Sequence, residues 1–155
     1  MLTEVYPRLF VGNIKDSKNF NGVICCVLER NFTKPDGNGG SMESEIRKDA
    51  LNFPVFNDVV GEFDIVQLEL LARFINRSLK SSNSNFLIHC GAGWERSPFA
   101  MAYTIWRTTN EFLTLQNAYD YVKEKHSDTR DVSAWIPYWW GQMYFVKREG
   151  DRNSW

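Results

Sequence analysis

The stretch His89-Cys90-Gly91-Ala92-Gly93-Trp94-Glu95-Arg96-Ser97-Pro98 gathers a nucleophile, two glycines and a guanidinium. Cys90 ends the apolar run Phe86 to His89, and Arg96 stands just ahead of Pro98, a residue favoured where helices begin. Backbone N–H groups of a tight loop and of a helix N-terminus can converge on an anion. Gly91 and Gly93 admit backbone conformations that other residues resist, and Arg96 offers a planar fork to two oxygens. Such a set suits a phosphate monoester. The same field favours a thiolate, because electropositive loops bring a cysteine from about 8.5 to roughly 3.5–7.5. Cys90 is therefore expected to attack phosphorus and to form a phosphocysteine. His89 is expected to shape the loop by hydrogen bonding, and Ser97 to donate its hydroxyl to the sulfur when that sulfur leaves. The expected phosphate-binding loop comprises Gly91, Ala92, Gly93, Trp94, Glu95 and Arg96. This chemistry requires no metal and no other cofactor.

Attack on an ester needs a proton for the departing oxygen. Asp49, Asp58, Glu62 and Asp64 lie upstream of the motif. Asp58 directly follows the strand expected over Leu51–Phe56, so its loop can share a sheet edge with Cys90. Asp58 is the expected acid, and later the base for the attacking water. Asp64 ranks next, but it reads better as the N-cap of a helix beginning at Ile65.

Those residues need a scaffold. Leu9 to Val11 reads as a short strand stopped by Gly12 and Asn13, and Val23 to Leu28 as a buried strand covered on both faces. Asn31 to Ser44 collects Gly, Pro, Asn and Ser and reads as an exposed loop. Ile65, Leu68, Leu71, Phe74, Ile75 and Leu79 follow helical spacing, so the pattern predicts a helix over Ile65–Lys80 closed by the polar run Ser81 to Asn85. Phe86–His89 is a further buried strand. Helices are expected from Pro98 to Asn110, Thr114 to Lys125 and Trp135 to Val146. Strands alternating with helices predict an α/β domain with a central, mostly parallel sheet. Ligands bind such sheets at the carboxyl ends of strands, where Cys90 falls.

Apolar residues make up 43% of the 155 residues and aromatics 15%, enough for one packed domain. A formal net charge of −1 supplies no global attraction for nucleic acid or acidic membranes. The opening MLTEVYPRLF lacks the pattern of a signal peptide, and no apolar run approaches a membrane span. Three cysteines, Cys25 and Cys26 adjacent, make a poor disulfide framework. A cytoplasmic protein without a membrane partner is expected. The sequence carries no signal for or against oligomerisation.

His89-Cys90, Gly93 and Arg96-Ser97 resemble the HC-x2-G-x2-RS signature of dual-specificity phosphatases, in the cysteine-based protein tyrosine phosphatase superfamily. Leu9-Phe10-Val11-Gly12-Asn13 looks like that family's opening strand and turn. Leu113-Thr114-Leu115, with Ala118 and Val122, looks like its helix after the signature. The resemblance implies a catalytic domain over 1–148 and a short polar tail over 149–155. It implies a metal-free two-step mechanism, with the acid in a loop upstream of the nucleophile, as Asp58 stands here. It also implies a phosphorylated protein as partner, dephosphorylated at tyrosine and at serine or threonine.

The chain departs from the family pattern in places. Glu95 stands where the family commonly has a small or neutral residue, and the loop carries no Lys, which argues against very highly charged substrates. The segment Ser127 to Ala134 lacks the Pro-Asn turn that often supports the signature loop.

Two other functions stay open: the same chemistry on RNA 5′-phosphates or a small metabolite, and a phosphate-binding pseudophosphatase. The near-neutral charge weighs against RNA, and the intact Cys90, Arg96 and Asp58 weigh against a dead enzyme. Cys25 and Cys26 are expected in the core, and His126 in solvent or capping a helix. Trp135, Trp139 and Trp140 are expected to pack, whereas Trp94 either shields the loop or lines the substrate entrance.

Overall fold

The computed structural model describes residues 2–27, 46–57, 62–91 and 93–132. Its strands are β1 Thr3–Tyr6, β2 Leu9–Gly12, β3 Val23–Cys26, β4 Leu51–Asn52, β5 Phe56–Asn57, β6 Glu62–Phe63 and β7 Phe86–His89. Its helices are α1 Ile65–Ser81, α2 Arg96–Thr108 and α3 Leu115–Lys125, besides a 3₁₀ turn at Lys15–Ser17. A five-stranded sheet runs in the order β1-β2-β7-β3-β4, and β5 pairs separately with β6. β1 is antiparallel to β2, while the other ladders of the larger sheet are parallel. This is the mostly parallel α/β arrangement that the alternating pattern predicts.

All residues of β7 are buried, as a strand covered on both faces requires. Its register pairs Gly12 with His89 on one side and Cys26 with His89 on the other. Three strands therefore end level with the residue before Cys90. The ladder continues into the loops: the Val27 N–H donates to the His89 carbonyl at 2.7 Å, and the Ile14 N–H to the Gly91 carbonyl at 3.1 Å.

α1 begins at Asp64, whose Oδ1 accepts from the Val66 and Gln67 N–H groups at 3.0 and 3.3 Å, the capping role its position suggested. At the other end, Arg8 donates to the carbonyls of Ser84, Leu79 and Ser82 at 2.9, 3.2 and 2.5 Å. A cation among the carbonyls at a helix end offsets the negative end of its dipole, and here it also ties the β1–β2 turn to α1. α1 and α2 join where Glu69 accepts from the Tyr103 hydroxyl and pairs with Arg107 at 2.9 Å. Phe63 stacks on Phe99 at 4.1 Å, and the Phe99 ring meets Tyr119 edge-on at 5.7 Å, so one aromatic column runs from β6 through α2 to α3.

Several boundaries differ from expectation. Leu51–Phe56 is not one strand: Leu51–Asn52 lies beside β3, and Phe56–Asn57 turns away to pair with β6. Pro54, which has no N–H to give a ladder, stands between them. β1 and β6 carried too short a pattern to be read. α2 starts at Arg96 rather than Pro98, because a proline is tolerated throughout a first turn whose N–H groups lack intrahelical partners. Leu28, the Asn31–Ser44 loop and the Trp135–Val146 helix lie outside the described residues. No helix among the described residues is long and apolar enough to cross a membrane.

Candidate active site

The site grows out of the end of β7. His89 is fully buried, and its Nδ1 lies 3.0 Å from the Cys90 carbonyl. A carbonyl can only accept, so Nδ1 carries the hydrogen and donates. Burial outweighs this bond and holds the His89 pKa below its ordinary value. The ring is thus a neutral imidazole that holds the Cys90 carbonyl.

Cys90 is 2% exposed and Gly93 has φ +81°. The turn at Gly93 brings its N–H to 3.2 Å from the Cys90 Sγ. A side chain at Gly93 would meet the Gly12 backbone, since a Cβ there would lie 2.8 Å from the Gly12 C and O atoms. β2 and its Gly12-Asn13 turn therefore form the floor under the loop. Ser97 Oγ lies 3.3 Å from the sulfur and 3.2 Å from the Gly12 carbonyl. With a thiol, the sulfur donates to Ser97 and Ser97 donates to Gly12. With a thiolate, the hydroxyl can turn its hydrogen to the sulfur.

Arg96 opens α2, and its guanidinium lies 5.3 Å from the centre of the Phe56 ring. Cys90, Trp94, Glu95 and Arg96 line a cavity of about 190 Å³. Trp94 thus forms part of the cavity's lining. It is 40% exposed, and the Arg130 guanidinium lies over its ring at 3.8 Å from the centre. Gly91, Gly93, Trp94, Glu95, Arg96 and Ser97 all gather around Cys90; Ala92 lies outside the described residues.

Asp58 also lies outside the described residues. Two of the other upstream carboxylates are committed elsewhere. Asp49 forms a two-pronged pair with Arg47 at 2.7 and 3.0 Å, which holds its carboxyl below the usual range. Asp64 caps α1.

Of the two expectations for His126, the capping one holds: it stands at the C-cap of α3, and it is fully buried rather than solvated. Its Nε2 lies 3.0 Å from the Gly93 carbonyl and its Nδ1 2.8 Å from Thr3 Oγ1. Sequence spacing gave no warning, since Thr3, Gly93 and His126 come from opposite parts of the chain. Cys25 and Cys26 are fully buried as expected, and burial pushes the Cys25 thiol up to about 12.

The fold, a mostly parallel five-stranded sheet flanked by helices with the Cys90 loop at its end, is the one found in solved dual-specificity phosphatases. The chain is similar in structure to human DUSP28, with a TM-score of 0.63 at 20% identity over 92% of this chain and 91% of that one. It is similar to a mouse putative dual specificity phosphatase complexed with zinc tungstate, with a TM-score of 0.63 at 19% identity over 92% and 87%. PTPMT1 gives a TM-score of 0.56 at 14% identity over 92% and 90%. No family model matches the sequence, and no curated protein matches it.

Proposed function

We propose that this chain is a phosphatase that hydrolyses phosphate monoesters in proteins, at phosphotyrosine and at phosphoserine or phosphothreonine, through a phosphocysteine on Cys90. The observation that carries the reading is Cys90 in the cavity's lining together with Arg96, its sulfur approached by the Gly93 N–H and the Ser97 hydroxyl. In the first step the Cys90 thiolate bonds to phosphorus as the ester oxygen departs with a proton from Asp58. In the second, water gives its proton back to Asp58 and attacks phosphorus, and the sulfur leaves as a thiolate that accepts from Ser97. Support for Asp58 is indirect: Asp49 and Asp64 are engaged elsewhere, and Phe56, which leads into the Asp58 segment, lies against Arg96.

The cavity's roughly 190 Å³ falls below the ~300–1,000 Å³ of pockets that enclose a drug-sized ligand. It suits a phosphoryl group and the adjoining part of a side chain, which favours a protein substrate over an enclosed metabolite. The near-neutral chain, at −1, offers little to an RNA backbone. Three free thiols suit a reducing compartment such as the cytoplasm.

The test is hydrolysis of aryl phosphate, phosphopeptides and triphosphate-ended RNA in chelator. Cys90→Ser is expected to abolish turnover while oxyanion binding persists, and Asp58→Asn to lower kcat by about 100-fold, most for poor leaving groups. Full activity in the serine variant would sink the mechanism. Preference for RNA ends, or phosphopeptide binding without turnover, would transfer the site to one of the other two readings.

A further inference from the structure

The segment after α3 lacks the turn expected to brace the catalytic loop, yet the loop is braced. His126 Nε2 meets the Gly93 carbonyl at 3.0 Å, and the Arg130 N–H donates to the Trp94 carbonyl at 2.7 Å. The segment making these contacts is itself pinned. Thr129 donates to the His126 carbonyl through its N–H at 3.0 Å and its hydroxyl at 2.7 Å. The Tyr119 hydroxyl donates to the Arg130 carbonyl at 3.0 Å and accepts from the Val132 N–H at 3.2 Å.

The Gly93 carbonyl can only accept, so His126 Nε2 carries a hydrogen. The C=O and N–H of a trans peptide point in opposite directions, and the described chain has no cis bonds. A Gly93 carbonyl drawn to His126 therefore turns the Trp94 N–H away from His126. A Trp94 carbonyl drawn to Arg130 turns the Glu95 N–H in the same manner. We propose that His126 is a positioning residue for catalysis: through Nε2, and with Arg130 beside it, it sets the orientation of the Trp94 and Glu95 amides that receive the phosphate oxygens. Thr3 on β1 in turn fixes the imidazole by pairing with Nδ1 at 2.8 Å. The inference rests on the phosphatase reading above, because it concerns the oxyanion that reading places in the cavity.

Orthovanadate, a phosphate-like oxyanion, is the probe, with melting temperature and the rate of Cys90 alkylation at neutral pH measured alongside. His126→Ala is expected to weaken orthovanadate inhibition and lower kcat/KM by about tenfold each, the effect of one lost buried hydrogen bond, and to slow alkylation. His126→Gln, whose amide nitrogen can reach the Nε2 position, should recover most of that loss. Thr3→Val should give a smaller loss in the same direction.

A lowered melting temperature with orthovanadate affinity and alkylation unchanged would make His126 a helix cap alone and overturn the proposal. So would a glutamine variant that folds but does no better than alanine. Should the alanine variant not fold, Thr3→Val and His126→Gln decide, unchanged affinity in the first and full loss in the second counting against it. Failure of the wild-type protein to bind orthovanadate or turn over any ester would count instead against the phosphatase reading.

Discussion

Gly93 carries two demands that no other residue meets together. Its φ of +81° is a conformation that costs an L-residue roughly 1–2 kcal/mol, and its Cα faces the Gly12 backbone too closely for a side chain. Gly93→Ala should therefore push the loop off β2 and carry the Gly93 N–H away from the sulfur. We expect kcat/KM to fall by about 100-fold, as a misplacement of about 1 Å can cost, with a smaller loss of melting temperature. Activity within threefold of wild type would show that the loop tolerates the shift.

His89 gives a pH signature at the same scale. Its folded pKa lies below the ordinary 6.5 because burial opposes the charge. Between those values the unfolded chain binds a proton that the folded chain refuses, so the unfolded state is favoured as pH drops. The stability tied to a neutral His89 is thus present above 6.5 and lost as pH falls through the folded value. Melting temperature should decline from pH 7 to 5, and His89→Asn should flatten that decline. An unchanged slope in the variant would count against it.

Among the elements, α1 shows how a single cap sets where a helix begins. Asp64 satisfies two N–H groups at its start, and Asp64→Ala should cost about 1 kcal/mol in denaturant unfolding. Because the Asp64 N–H also donates to the Val55 carbonyl at 2.6 Å, the same residue fixes the small β5–β6 ribbon beside Arg96. An unaltered unfolding midpoint would deny Asp64 its capping role.

Elements with strong local patterns were legible in advance. β7 is three apolar residues and His89 and appears where it was expected, and α3 follows a Thr114 cap. β4, β5 and β6 are each two residues long; the local pattern over Leu51–Phe56 announced extended chain there but not its division between two sheets, which partners elsewhere decide.

Across the whole molecule, the motif around Cys90 was readable because a nucleophile, glycines and arginine must be close in sequence to form one loop. Its support was not, because that comes from distance: Gly12 from β2, Thr3 from β1, His126 and Arg130 from the far side of α3. A histidine at the end of a polar helix gives no sign of burial until a strand from the other end of the chain is laid beside it. The Trp94–Arg130 stack was hidden for the same reason.

Ser97 has a single hydrogen and two takers, the Cys90 sulfur and the Gly12 carbonyl. In the proposed mechanism the hydrogen turns to the sulfur while it is a thiolate and Gly12 goes without, and it is free to return once the sulfur is bonded to phosphorus. The carbonyl at the tip of β2 would then report on the proposed reaction, and an isotope label on Gly12 would register each half of that cycle from the end of β2.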